Sequence, residues 1–122
     1  MTKRLFIITG EFSGDIHAAR VVLEIKKLNP EIEIEAIGGQ NLASQGVKLF
    51  STHDKMSAIG LTPKIIFDHV ILGRKIIKYL KEEYKPDLVL LVDYGTFNLN
   101  ISKLLHRAGI KTYFYIPPQN DN

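Results

Sequence analysis

After its leading aspartate, the run Asp87-Leu88-Val89-Leu90-Leu91-Val92 is apolar at every position. A strand with that pattern must be covered on both faces, which is the condition of a strand inside a parallel sheet. Leu5 to Thr9 is a second run of this kind, and it stops at Gly10. Helical patterns separate such runs. Ala18, Val21, Val22, Ile25 and Leu28 keep the spacing of one helix face and predict a helix from Asp15 to about Asn29, ended by Asn29-Pro30. Ile32, Ile34 and Ala36 alternate with Glu31, Glu33 and Glu35, which predicts a strand with one wetter face, near the sheet edge.

Gln40 to Gln45 reads as a short helix and Val47 to Phe50 as a short strand. Ser51 to Pro63 lacks periodicity and reads as a functional loop. From Lys64 to about Tyr84, Ile66, Val70, Gly73, Ile77 and Leu80 form one stripe, which Pro86 terminates. Ile101, Leu104, Leu105 and Ala108 line another helix capped by Gly109, and Lys111 to Ile116 is a last strand. Strands alternating with helices require crossover connections. The expected class is therefore α/β: one domain over residues 1–122, Rossmann-like, with a mostly parallel sheet and helices on both faces.

The chain has no cysteine, which excludes disulfides and thiolate metal sites and fits a reducing compartment. Its first apolar run is too short for a signal peptide, and no stretch approaches the roughly 20 apolar residues of a membrane span. A cytoplasmic protein is expected. A net charge of +3 reads as an ordinary basic surface, with no nucleic-acid partner, and leaves an anionic membrane surface open. The histidines His17, His53, His69 and His106 show no metal-ligand spacing, so no metal is expected.

Three segments carry candidate chemistry. Gly10-Glu11-Phe12-Ser13-Gly14-Asp15 joins the first strand to the first helix. Its glycines permit a sharp turn and close ligand approach, and the helix start suits a phosphate or sugar hydroxyl. Ser13 can hydrogen-bond a ligand, and Asp15 is placed to cap the helix. The loop matches neither a dinucleotide fingerprint nor a Walker loop. Asp93-Tyr94-Gly95-Thr96-Phe97-Asn98 lies at the carboxyl end of the central strand, where open α/β sheets bind ligands. Partial desolvation there raises a carboxyl group toward a usable base, although helix capping is the plainer role for Asp93. Lys64 to Lys85 is a basic amphipathic helix. Most of it suits a buried crossover, while its start suits a membrane interface through Lys64, Phe67, Ile71 and Arg74. Gln119, after Pro117-Pro118, follows the last strand on the same side as the other loops.

Taken in order, these segments resemble the N-terminal half of the lipid-A-disaccharide synthases. The matching stretches are the Gly10–Asp15 loop, Ile37-Gly38-Gly39, Ile59-Gly60-Leu61, Lys85-Pro86-Asp87, Asp93–Asn98, and Gly109-Ile110-Lys111-Thr112 into Tyr115-Ile116-Pro117-Pro118-Gln119. The resemblance implies the N-terminal, acceptor-side domain of a two-domain GT-B glycosyltransferase. It implies inverting transfer of 2,3-diacylglucosamine from its UDP derivative to 2,3-diacylglucosamine 1-phosphate, without a metal or other cofactor. Asp93 would be the base. Gly10, Glu11, Ser13, Gly14, Asp15, Asn98 and Gln119 would contact substrate. The protein would sit peripherally at the inner membrane.

At Gly95 and Thr96 the chain departs from the family, which often has proline and then an acid or glycine. Because the family continues beyond Pro-Pro-Gln, the chain is expected to lack the C-terminal donor domain and to need that missing half, or a homo-oligomer, to act. The alternative is a non-catalytic, lipid- or membrane-binding module derived from such an enzyme.

Overall fold

A computed structural model describes residues 2–9, 12–49, 69–92 and 96–116, with the backbone alone at 12, 13, 69–72 and 96. The elements are β1 (Arg4–Thr9), α1 (Phe12–Leu28), β2 (Glu33–Ile37), α2 (Gln40–Ser44) and β3 (Lys48–Leu49). They continue with α3 (His69–Tyr79), a π-helical turn (Leu80–Tyr84), β4 (Leu88–Val92), α4 (Thr96–Arg107) and β5 (Thr112–Tyr115). The sheet order is β3-β2-β1-β4-β5, and each of these pairings is parallel.

The apolar runs behave as their composition requires. In β1, Leu5 and Ile7 join one core with Ala18 and Val22 of α1 and Leu42 of α2. Phe6 and Ile8 point to the other face and join Ile76, Leu80, Ile101 and Leu105 from α3, its final turn and α4. β4 divides likewise, with Leu90 and Val92 in the first core and Val89 and Leu91 in the second. Successive side chains of a strand alternate between faces, so only a strand covered twice can bury such a run. The result is a Rossmann-like α/β layering, as expected.

One expectation is met, and two need correction. β2 lies near the sheet edge as expected, second in the order, between β1 and the two-residue edge strand β3. Its acidic face arises because the second core draws its strand residues from β1 and β4 and only grazes β2 at Ile37. Glu35 is nevertheless buried, and its carboxylate accepts a hydrogen bond from the Tyr79 hydroxyl. α1 begins at Phe12, so half of the glycine loop belongs to its first turn. The long helix does not stay α-helical to Tyr84: Lys85 N–H donates to Leu80 C=O at 2.8 Å, five residues back. Its part before His69 lies outside the described residues.

That wider turn stacks the Tyr79 and Tyr84 rings, 6.3 Å apart and 5° from parallel. The Tyr84 hydroxyl lies 3.0 Å from Leu5 C=O on β1 and 3.1 Å from Glu33 C=O on β2. Burial, reinforced by Glu35, pushes both phenols well above their ordinary range, so they stay protonated.

Candidate functional site

α1 leaves β1 toward β2, and α4 leaves β4 toward β5. The strand order therefore reverses between β1 and β4, and their carboxyl ends open a crevice there. The end of β1 and the first turn of α1 border one side of this switch point, and the end of β4 and the first turn of α4 the other.

Buried polar side chains tie this edge together. Asn98, fully buried in the first turn of α4, donates through Nδ2 to Val92 C=O at 3.0 Å and lies 3.5 Å from Ile8 C=O. It spans the ends of β4 and β1. The Thr9 hydroxyl donates to Ile37 C=O at 2.9 Å, joining the ends of β1 and β2.

Asp15 is the most heavily engaged of these groups. One carboxylate oxygen accepts from Gly39 N–H at 2.8 Å and Leu42 N–H at 3.2 Å. The other accepts from Asn41 N–H at 2.9 Å and the Asn41 amide at 3.0 Å. Asp15 thus caps α2, and not the helix that carries it. Gly39, at the N-cap position of α2, has no side chain to do so. A Cβ on Gly39 would stand 2.9 Å from Asp15 Oδ2, and one on Gly38 would stand 2.5 Å from Leu42 Cδ1. Both glycines follow from the close seating of Asp15. Burial raises the Asp15 carboxyl, but its four N–H donors outweigh burial and hold it below its ordinary value.

Among the expected substrate contacts, Asp15 and Asn98 make hydrogen bonds to protein atoms at the strand ends. Gly14 is buried in the first turn of α1, and Ser13 enters that turn through its backbone. Asp93, Gly10, Glu11 and Gln119 lie outside the described residues, as do Lys64 and Phe67. The backbone of Ile71 belongs to α3, and Arg74 is exposed on it. Among the described residues no three metal-ligating side chains come together, and no helix is long and apolar enough to cross a membrane. Sequence reasoning missed Thr9, Asn41 and the paired roles of Gly38 and Gly39. The Gly-Gly pair directly after a strand was the available signal.

A family model described as lipid-A-disaccharide synthetase matches residues 5–120. The chain belongs to the lipid-A-disaccharide synthetase family. Lipid-A-disaccharide synthase 1 of Legionella pneumophila (strain Philadelphia 1) is 42% identical over 121 residues, covering 96% of this chain and 31% of that protein. The Francisella philomiragia synthase is 42% identical over 118 residues, with 95% and 31% covered. The Geobacter metallireducens synthase is 35% identical over 118 residues, with 96% and 31% covered. The chain thus spans about a third of these synthases. A crystal structure of the glycotransferase of kitacinnamycin superposes with a TM-score of 0.58 at 11% identity, over 95% of this chain and 30% of that one. That likeness shows a fold shared with a glycosyltransferase.

Proposed function

We propose that residues 1–122 form the acceptor-side domain of a lipid-A-disaccharide synthase. It would transfer 2,3-diacylglucosamine from its UDP derivative to 2,3-diacylglucosamine 1-phosphate. The family match over residues 5–120 carries this reading. The strand order supports it, because β1 and β4, which the two motif segments follow in sequence, meet at one switch point.

In this reading Asp93 is the general base. An acceptor hydroxyl oxygen attacks the anomeric carbon from the face opposite the UDP oxygen. Asp93 takes the hydroxyl proton, the bond to UDP breaks with its electron pair, and the configuration inverts. Gly10, Glu11, Ser13 and Gly14 shape the sugar or phosphate subsite, and Gln119 reaches it from the end of β5. Asp15, Thr9 and Asn98 hold the strand ends that present these loops. No metal or cofactor enters the step. Both substrates carry acyl chains, so the domain works at the inner-membrane surface, approached through Lys64, Phe67, Ile71 and Arg74. The donor half, or a second copy, completes the cleft.

The test combines the chain with the separately produced remainder of the Legionella pneumophila synthase 1 and follows UDP release. UDP should form with the native chain and fall by at least about 1000-fold with Asp93→Ala, since proton transfer and positioning are lost together. Undiminished release by Asp93→Ala would reject the base assignment. No release in any mixture, with both halves folded, would reject the split-domain reading.

A further inference from the structure

We propose that the cleft beside the amino-terminal half of β2 binds a small zwitterion of the α-amino acid class, with its ammonium on Glu35 and its carboxylate on Lys48. The cleft encloses about 470 Å³. It reaches from the starts of β1 and β2 to the turn before β3, so it lies at the amino edge of the sheet, away from the crevice between β1 and β4. β3 pairs with β2 at Glu35 and Ala36. Among the described residues no strand lies beside Glu33 and Ile34, and the cleft opens there. Tyr79, Tyr84 and Glu83 wall it from the end of α3 and the π-helical turn.

Glu35 carries the argument. It is only 9% exposed, yet it lines the cleft. Its Oε1 accepts from the Tyr79 hydroxyl. Among the described residues no donor reaches Oε2, which stays accessible from the cleft. No described cation reaches Glu35 either, since the ion pairs among the described residues are Arg4–Glu33 and Lys27–Glu24. A buried carboxylate without an opposite charge is costly, and a bound ammonium relieves that cost. The two phenols report the same field. After burial, Glu35 does most to raise both, with Glu83 adding to it at Tyr79 and Glu33 at Tyr84. This wall of the cleft is therefore negative and favours a cation.

The opposite wall is positive. Lys48 stands across from Glu35 in the register of β2 and β3, on the same face of the sheet, yet the two side chains form no ion pair. Arg4 is engaged by Glu33 at 2.9 Å, and Lys26 donates to Gln45 C=O. The charges left for a ligand are those of Glu35, Glu83 and Lys48. A simple amine would leave Lys48 unanswered, and a simple anion would leave Glu35 so. An amino acid carries both charges on one carbon, which suits side chains on strands about 4.8 Å apart. Ile32 and Ile34 offer its side chain an apolar patch. A divalent cation fits less well, since among the described residues no three metal-ligating side chains come together. The site uses none of the groups assigned to sugar transfer.

The experiment titrates the purified chain with L-leucine and with L-phenylalanine by calorimetry. Each is compared with its decarboxylated amine and its deaminated acid. At least one amino acid should bind with a Kd below about 1 mM, and its amine and acid should each bind about 10-fold more weakly or worse. Glu35→Gln keeps an acceptor for Tyr79, and Lys48→Gln alters an exposed side chain. Each should weaken amino-acid binding about 10-fold or more. Glu31→Gln removes an exposed carboxylate outside the lining and should change binding less than about twofold. Thermal melts confirm that all three variants fold. No saturable binding of either amino acid up to about 10 mM would overturn the inference. Undiminished binding by Glu35→Gln or Lys48→Gln would do the same. An amine that binds as tightly as its amino acid would replace the zwitterion site with a plain ammonium site. Coupling between Glu35→Gln and Lys48→Gln in urea melts, without amino-acid binding, would show that the two side chains pair directly and leave no site. UDP release is scored separately, so its absence rejects the enzyme reading alone, and absent amino-acid binding rejects this inference alone.

Discussion

Replacing Asp15 by alanine removes one carboxylate and strands four donors: the N–H groups of Gly39, Asn41 and Leu42, and the Asn41 amide. The Leu42 bond is buried and the other three are partly buried. A buried donor left unpaired costs about 1–3 kcal/mol, and partial access to water reduces that cost. Taking about 2 kcal/mol for Leu42 N–H and about 0.5–1 kcal/mol for each of the others gives a loss of about 4 kcal/mol. For a chain of this size that is a fall in Tm of roughly 10–20 °C. Asp15→Asn keeps the shape and one oxygen but turns an NH2 group toward donors, and should lose about half as much.

The dependence on pH supplies a second signature. The folded carboxyl titrates below the unfolded one, whose ordinary value is about 3.9. Its contribution is complete above the unfolded value and disappears as pH falls through the folded value. Urea denaturation of the native chain and of Asp15→Ala should show a constant stability gap above about pH 5, narrowing steadily below about pH 4. A loss under about 1 kcal/mol, or a gap unchanged from about pH 6 to about pH 3, would refute the capping argument.

Two further substitutions probe the backbone. Gly38→Ala places its Cβ against Leu42 Cδ1, Asp15 Oδ1 and Thr9 Oγ1 and should lose about 2–3 kcal/mol in urea melts. Gly73→Ala meets only the far end of the half-buried Leu104 side chain and gains helix propensity, so it should stay within about 1 kcal/mol of the native chain. Lys85 sits at φ 51°, in the left-handed region. Lys85→Gly should raise stability by about 0.5–1 kcal/mol in thermal melts, and a loss would show that the Lys85 side chain contributes packing.

The sheet was legible because Leu5–Thr9 and Asp87–Val92 are continuous apolar runs, and burial on both faces leaves no other pattern. The place of β2 near the edge was legible for a related reason. Alternating glutamates report one poorly covered face, and β2 has one, since the second core meets it only at Ile37 and only the two-residue β3 lies beyond it. The π-helical turn was invisible because Tyr84 falls four residues after Leu80, where an ordinary helix would also place it. At the candidate site, the loops after β1 and β4 could be located from the order of elements alone. The cap from Asp15 could not, because its partners begin 24 residues away and the contact depends on how two helices seat.

The turn at Leu80–Tyr84 lets the helix take up one more residue than its regular pitch accommodates. In a regular α-helix five residues advance the direction of a side chain by about 500°, leaving Tyr84 some 140° out of phase with Tyr79. Deleting a single residue from this segment would restore the regular pitch and leave the tyrosine four residues, about 400°, after Tyr79, so the phenol would keep its side over the seam between the first two strands. The wider turn takes up the one extra residue and so preserves the angular phase of the helix just before the chain re-enters the sheet.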